Sequence, residues 1–431
     1  MNRLRILATI ALVLTTVTAG QATVFSGRLG VSSYVWERSE VDSTDTRHVQ
    51  NVGTASLRLA RIGGRDIEVS TSLRGRYDLR NAGDNLDDYH VYSLQCRWRD
   101  LAQVVDLTVG RHFVSWPVSP VSIDGASLSV HPGHGFALSG YAGVSVPDDG
   151  RLRVQTAAEG QALGVQLGYR ARAVGSMSVF FAQHDRARLY GTFAVDNLAY
   201  RTLGLDWRRP VARFGSLYGQ FTYEMPTQRM SRLHLSARWQ ASPNVALNGQ
   251  FRYRRPDLPY NSIFWVFGDA RYYDWRLRTN IRLNDVWSVT AGGAYVDLVA
   301  GHVLRYDLGA THRYFNLTLH AQSGRTGSTF GVSGEAQYPI SHRWTLHGGS
   351  RFDSYELIED QADANTATAW WAGARWDWVP QSTLELEAQL VTQDLNTERL
   401  FAGDKSDVRL LARISWWFFR RLDGMEQTRL P

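Results

Sequence analysis

A single cysteine, Cys96, and a single lysine, Lys405, occur in this chain of 431 residues. With one cysteine no intramolecular disulfide can form, and no C-x-x-C-H haem-attachment motif can be written. With one lysine, arginine carries nearly all the positive charge; basic residues number 47 against 41 acidic ones, a formal net charge of +6. Those arginines are scattered over the whole chain. No basic helix and no recognisable binding module gathers them, so nucleic acid is not an expected partner. Beyond the N-terminus there is no run of about 18 apolar residues, which excludes a bundle of membrane helices. Nucleophile elbows, H-E-x-x-H and P-loop motifs are missing too, so no enzyme, cofactor or catalytic residue is expected.

What is present begins at residue 1. MNRLRILATIALVLTTVTAGQA places Arg3 and Arg5 before an apolar core from Ile6 to Val17 and ends in the small-residue site Gly20-Gln21-Ala22. That order predicts a secretory signal peptide over 1–22. No cysteine lies near the cleavage site, so lipid attachment is not expected.

From residue 24 onward the apolar period is two. In ARYYDWRLRTNIRL (270–283), Tyr273, Trp275, Leu277, Thr279, Ile281 and Leu283 alternate with Asp274, Arg276, Arg278, Asn280 and Arg282. DIEVSTSLRGRYDLR (66–80), SRLHLSARWQ (231–240), TLELEAQLVTQ (383–393) and DVRLLARISWWF (407–418) repeat the pattern. Successive side chains of a strand point to opposite faces. A soluble sandwich also alternates, so three further features separate it from a membrane barrel. Segments run about 9–12 residues, the length of a tilted bilayer-crossing strand. Connectors alternate short, as at 63–66, 147–150, 283–286 and 379–382, and long, as at 39–47, 81–88, 114–135, 184–197, 255–269, 357–366 and 394–407. That alternation counts 151–158 as a strand of its own. Trp98, Trp207, Trp239, Trp287, Trp344 and Trp378 fall near short turns, and Tyr77, Tyr89, Tyr223, Tyr253 and Tyr355 toward long loops. Membrane barrels carry aromatic girdles at both interfaces.

The last segment, with Val408, Leu410, Ala412, Ile414, Trp416 and Phe418 on one face, looks like the C-terminal strand of bacterial outer-membrane proteins, although 419–431 follow it. The chain therefore resembles the bacterial outer-membrane β-barrel, porin-like class. The resemblance implies an all-β fold: a single closed antiparallel transmembrane β-barrel over 23–419, then a short tail, 420–431. About 22 strands (20–22) are expected, with short periplasmic turns and long outer loops. It also implies a Gram-negative outer membrane, with lipid, lipopolysaccharide and the barrel-assembly machinery as partners.

In that register the charged face lines the lumen. Predicted pore-lining residues include Arg74, Arg76, Arg97, Arg232, Arg238, Arg252, Arg254, Asp274, Arg276, Arg278, Arg282, Arg305, Glu335, Arg375, Glu385 and Glu387. Basic groups outnumber acidic ones there, which favours anions by raising their local concentration. In trimeric porins the loop after the fifth strand folds inward. By position, 114–135 is the candidate constriction here, with Trp116, Asp124, His131 and His134. His112, His131 and His134 lie close in sequence without matching a metal-site spacing, so no metal is expected. The functional expectation is a passive diffusion pore for small hydrophilic, anionic solutes. The alternative is a sheath around a separate periplasmic or extracellular multihaem cytochrome, or a polymer export pore. A barrel of about 22 strands is wide enough for either.

Overall fold

The computed structural model describes residues 22–421 apart from 41–42, 80–87, 117–119, 148–149, 151, 186–197, 212–214, 256–270, 300, 326, 357–364 and 395–404. The expected signal peptide, apart from Ala22, and the end of the expected tail lie outside the described residues. The first strands are β1 (Ala22–Glu40), β2 (Ser43–Ile62), β3 (Ile67–Asp78), β4 (Asp88–Leu101), β5 (Val105–Val114), β6 (Val121–Gly133) and β7 (Phe136–Ser145). A single helical turn, α1 (Ala157–Gly160), precedes β8 (Gln161–Ala171), β9 (Gly175–Asp185), β10 (Leu198–Val211), β11 (Gly215–Glu224), β12 (Arg229–Ser242), β13 (Val245–Arg254) and β14 (Tyr272–Arg282). The chain ends with β15 (Trp287–Leu298), β16 (Gly301–His312), β17 (Phe315–Gly324), β18 (Ser328–Pro339), β19 (Trp344–Glu356), β20 (Asn365–Val379), β21 (Ser382–Asp394) and β22 (Lys405–Arg421).

Each strand pairs antiparallel with the next, and β22 returns to β1 with Ile414 opposite Val31. The 22-stranded sheet is closed. Closure pairs the backbone around the ring, as a strand in hydrocarbon requires, and leaves no exposed edge. Among the described residues no helix is long and apolar enough to cross a membrane.

The connectors correct the sequence reading in three places. The 39–47 segment is no loop: β1 reaches Glu40 and β2 starts at Ser43, in strands of 19 and 20 residues that exceed the expected length. The 114–135 segment is mostly β6, a full wall strand paired along its length with β5 and β7. Conversely, the described residues 152–158 form no strand; they lie in the connector between β7 and β8, as do the described residues of the supposed short turn at 147–150. One strand missed and one strand invented cancel in the count. Ser and Gly in SIDGASLSV carry little amphipathic contrast, whereas RLRVQ alternates without a partner strand to pair it.

The two faces of the wall differ in exposure as well as chemistry. On β14, Trp275 and Leu277 are 44% and 59% exposed. The Asp274 and Arg276 side chains are 7% and 29% exposed. Side chains converge on the concave inner surface and splay on the convex outer one, so the charged row is the lumenal row. Facing arginine toward lipid at mid-depth would cost about 2–4 kcal/mol. Outward aromatics gather near the short turns: Trp344 stacks on Trp376 at 5.4 Å, and Trp287 meets Phe315 at 5.2 Å. Trp207 Nε1 donates to the Val174 turn carbonyl at 3.1 Å. Toward the other end Trp275 packs on Phe251 and Tyr295, with Tyr253 and Tyr273 beside them. Tyr355 departs from this girdle: it shares the row of Arg351 and Asp353, and its hydroxyl accepts from Gln393 Nε2 at 2.7 Å.

Candidate functional site: the lumenal wall

Every residue expected to line the pore stands on the charged face, but that face is not uniform. On β12–β14 the register sets Arg232 opposite Arg254, and His234, Arg252 and Asp274 in one row. Below them Gln250 faces Arg276, and Arg238, Asn248 and Arg278 share a row, with Arg282 nearer the turn. Asp274 is the one carboxylate on these three strands, against seven arginines of the same face. Its Oδ2 lies 3.5 Å from Arg276 Nη2, and its buried Oδ1 has no hydrogen-bond partner. This sector is strongly positive.

Elsewhere on the wall several arginines meet carboxylates of the same face. Arg58 and Arg99 both reach Glu68, at 2.8 and 3.3 Å, and Arg97 lies 3.7 Å from Asp106. Arg375 pairs with Asp377 at 3.0 Å, and Arg413 with Glu385 at 3.3 Å. Three contacts skip a strand. Arg278 reaches Asp307 across Gly292, His320 reaches Asp353 across Gly331, and His347 reaches Glu387 across Gly373, at 3.4, 2.9 and 3.0 Å. In each case the three residues occupy one register row. A Cβ on the central glycine would overlap the bridging groups. A side chain there would keep the partners on their own strands.

The connector after β5, residues 115–120, is shorter than the sequence suggested, and its described residue Trp116 overhangs the inner wall. Trp116 packs edge-on against Tyr141 at 4.8 Å, and a Cβ at Gly164 would strike its ring. With Val114, Ile123, Tyr141 and Ala162 it forms a small apolar core on the lumenal face. Beneath it lies an alcove of about 340 Å³ lined by Gln95, Arg97, Thr108, His112, Ser127 and Ser139. His112 bonds the Ser127 hydroxyl at 2.9 Å through Nε2, while Nδ1 meets the Gly110 carbonyl at 3.0 Å.

Asp124, His131 and His134 are not part of this overhang. Asp124 sits within β6, His131 near its turn end, and His134 in the β6–β7 turn with φ of 51°. His112 pairs with Ile123, toward the opposite end of that hairpin, so the three histidines do not converge. Asp124 has a structural partner that the sequence pattern hid. β4 and β5 part beyond the Leu94–Arg111 pair, and Gly150 fills the seam, its carbonyl accepting from Val91 N at 2.9 Å. Arg111 closes the junction. Its Nε and Nη2 each donate to Asp124 at 2.7 Å, and it also reaches the carbonyls of Val91, Gly150 and Arg153. Arg111 shares the parity of Val109 and Phe113, so alternation places it against lipid; the connector buries it instead. Just beyond, α1 is capped by Glu159, whose carboxyl is held below the usual carboxylate range, first by the Thr156 backbone N–H.

Compared with family models and with curated protein sequences, the chain matches none. Among solved structures it is similar to Acinetobacter baumannii OccAB3, at 10% identity over 91% of this chain and 99% of that one, with a TM-score of 0.45. It is similar to Pseudomonas aeruginosa OpdQ at 8% identity over 92% and 99%, with a TM-score of 0.43. It is likewise similar to the P pilus usher PapC translocation pore at 9% identity over 91% and 99%, with a TM-score of 0.47. The closed wall itself, apolar outside and charged inside, is that of a transmembrane β-barrel.

Proposed function

We propose that the barrel is a diffusion channel for small hydrophilic solutes that prefers anions. One observation carries this reading: seven lumenal arginines against Asp274 on β12–β14. A basic surface inside a low-dielectric wall concentrates anions along the bore. The Trp116 overhang supports a narrowed passage, since it places an aromatic and its backbone over the inner wall. A solute passing it meets the hydroxyl-lined alcove on one side and the arginine sector farther around the wall.

Reversal potentials in a planar bilayer under a salt gradient test the proposal. Anion preference that weakens when Arg252, Arg276 and Arg278 are replaced by glutamine supports it; cation preference in the native protein refutes it. A lone barrel that does not conduct, and that co-purifies with a haem-staining protein, would favour the sheath instead.

A further inference from the structure

His347, Glu385 and Glu387 project from β19 and β21 onto the lumenal wall, outside the basic sector of β12–β14. Their ligating atoms all lie within 4.8 Å of one another. We propose that these three residues bind a zinc-class divalent transition-metal ion. The site depends only on the folded barrel, not on which solute passes through it.

Four observations support the assignment. The first is the donor set. One imidazole nitrogen and two carboxylates form a borderline set that suits zinc, whereas magnesium and calcium take oxygen ligands. The second is spacing. His347 Nε2 and Glu387 Oε2 are 3.0 Å apart. Two ligands at roughly 2.0–2.2 Å from one tetrahedral zinc stand about 3.3 Å apart, so little movement is needed. The third is how the site is built. His347 and Glu387 are not neighbours; β20 lies between them, and Gly373 occupies the row they share. A Cβ at Gly373 would overlap His347 Nε2 and turn the imidazole away. The fourth is charge. Glu385 and Glu387 are two residues apart on one strand and face the same way, so they repel each other. Arg413 reaches Glu385 at 3.3 Å, while Arg375, which lies opposite Glu385 in the register, has its Nε on Asp377. A cation relieves the repulsion that remains. Gln389 Nε2 donates to Glu387 Oε1 at 2.6 Å, which orients that carboxylate and leaves Oε2 toward the histidine.

Access is open. His347 and Glu385 line an alcove of about 460 Å³ that also includes Glu335, Trp371 and Arg375. An ion bound there is reached from the bore and adds positive charge beside Glu385 and Glu387.

The test is isothermal titration of the untagged, detergent-solubilised barrel with zinc chloride, and separately with magnesium chloride. A heat-modifiable gel shift confirms that each variant is folded. The expected result is saturable binding of a single equivalent of zinc, no comparable magnesium binding, and loss of zinc binding in H347A and E387Q. G373V, which keeps all three ligands but blocks the reach across β20, is expected to lose it as well. Absence of saturable zinc binding by the folded native barrel overturns the proposal. So does unchanged binding in folded H347A. Neither outcome bears on anion preference, which is read from reversal potentials.

Discussion

Arg278 on β14 and Asp307 on β16 form an ion pair across an intervening strand, with Nη2 and Oδ2 3.4 Å apart over Gly292. The pair ties the basic sector to the mixed wall beside it. Both side chains are partly exposed, at 45% and 31%, so its contribution to stability is small, about 0–1 kcal/mol. Its expected effect is on permeation. D307N removes a carboxylate beside the arginines and is expected to shift the reversal potential further toward anions. G292A keeps both charges, moves the carboxylate that lies 2.5 Å from the added Cβ, and is expected to shift it far less.

The outward row sets a thermodynamic prediction. Leu308 is 49% exposed at the middle of β16, on the apolar face. L308R is expected to destabilise the barrel by about 2–4 kcal/mol in lipid. T318R, on the neighbouring β17 but on the charged face, is expected to cost much less. Urea titration of folding into phospholipid vesicles measures both.

Trp116 offers a prediction about the bore. W116A removes the ring that covers Gly164 and Tyr141 and is expected to raise single-channel conductance without changing the strand count. Deleting the whole 117–132 segment is not a valid test, because it removes the wall strand β6. Unaltered conductance in W116A would mean that the overhang does not limit the passage.

Arg111 and Asp124 make the prediction for the seam. Their side chains are 1% and 11% exposed and joined by two 2.7 Å bonds. Breaking a buried pair from one side strands the other charge and costs about 3–5 kcal/mol. R111A and D124N are therefore each expected to lower the denaturant midpoint substantially. R97Q, whose partner Asp106 is 3.7 Å away on an exposed face, is expected to have little effect.

Much of the wall was legible in the sequence because lipid enforces the alternation. Arg276 and Leu277 have opposite solvents, and a strand has no other way to serve both. Turn positions such as 63–66 and 283–286 were equally plain. The failures share a cause. β6 was missed because Ser127, Ser129 and Gly125 line a sheltered wall and need no charge to mark the inner face. Arg111 was missed because it obeys the wrong parity, and only the connector from Val146 to Gly160 makes that position polar. The pairs over Gly292, Gly331 and Gly373 depend on inter-strand register, which composition does not encode; a lumenal-parity glycine flanked by charged strands was the one available signal.

The most direct test of the account is which solvent each face meets. In a C96S background, R276C and L277C place a thiol at adjacent positions of β14. The barrel is reconstituted in vesicles and exposed to a membrane-impermeant, water-soluble thiol reagent. The account predicts rapid labelling of R276C and protection of L277C, with the order reversed for a lipid-soluble reagent. Labelling of L277C by the aqueous reagent, with R276C protected, would contradict it.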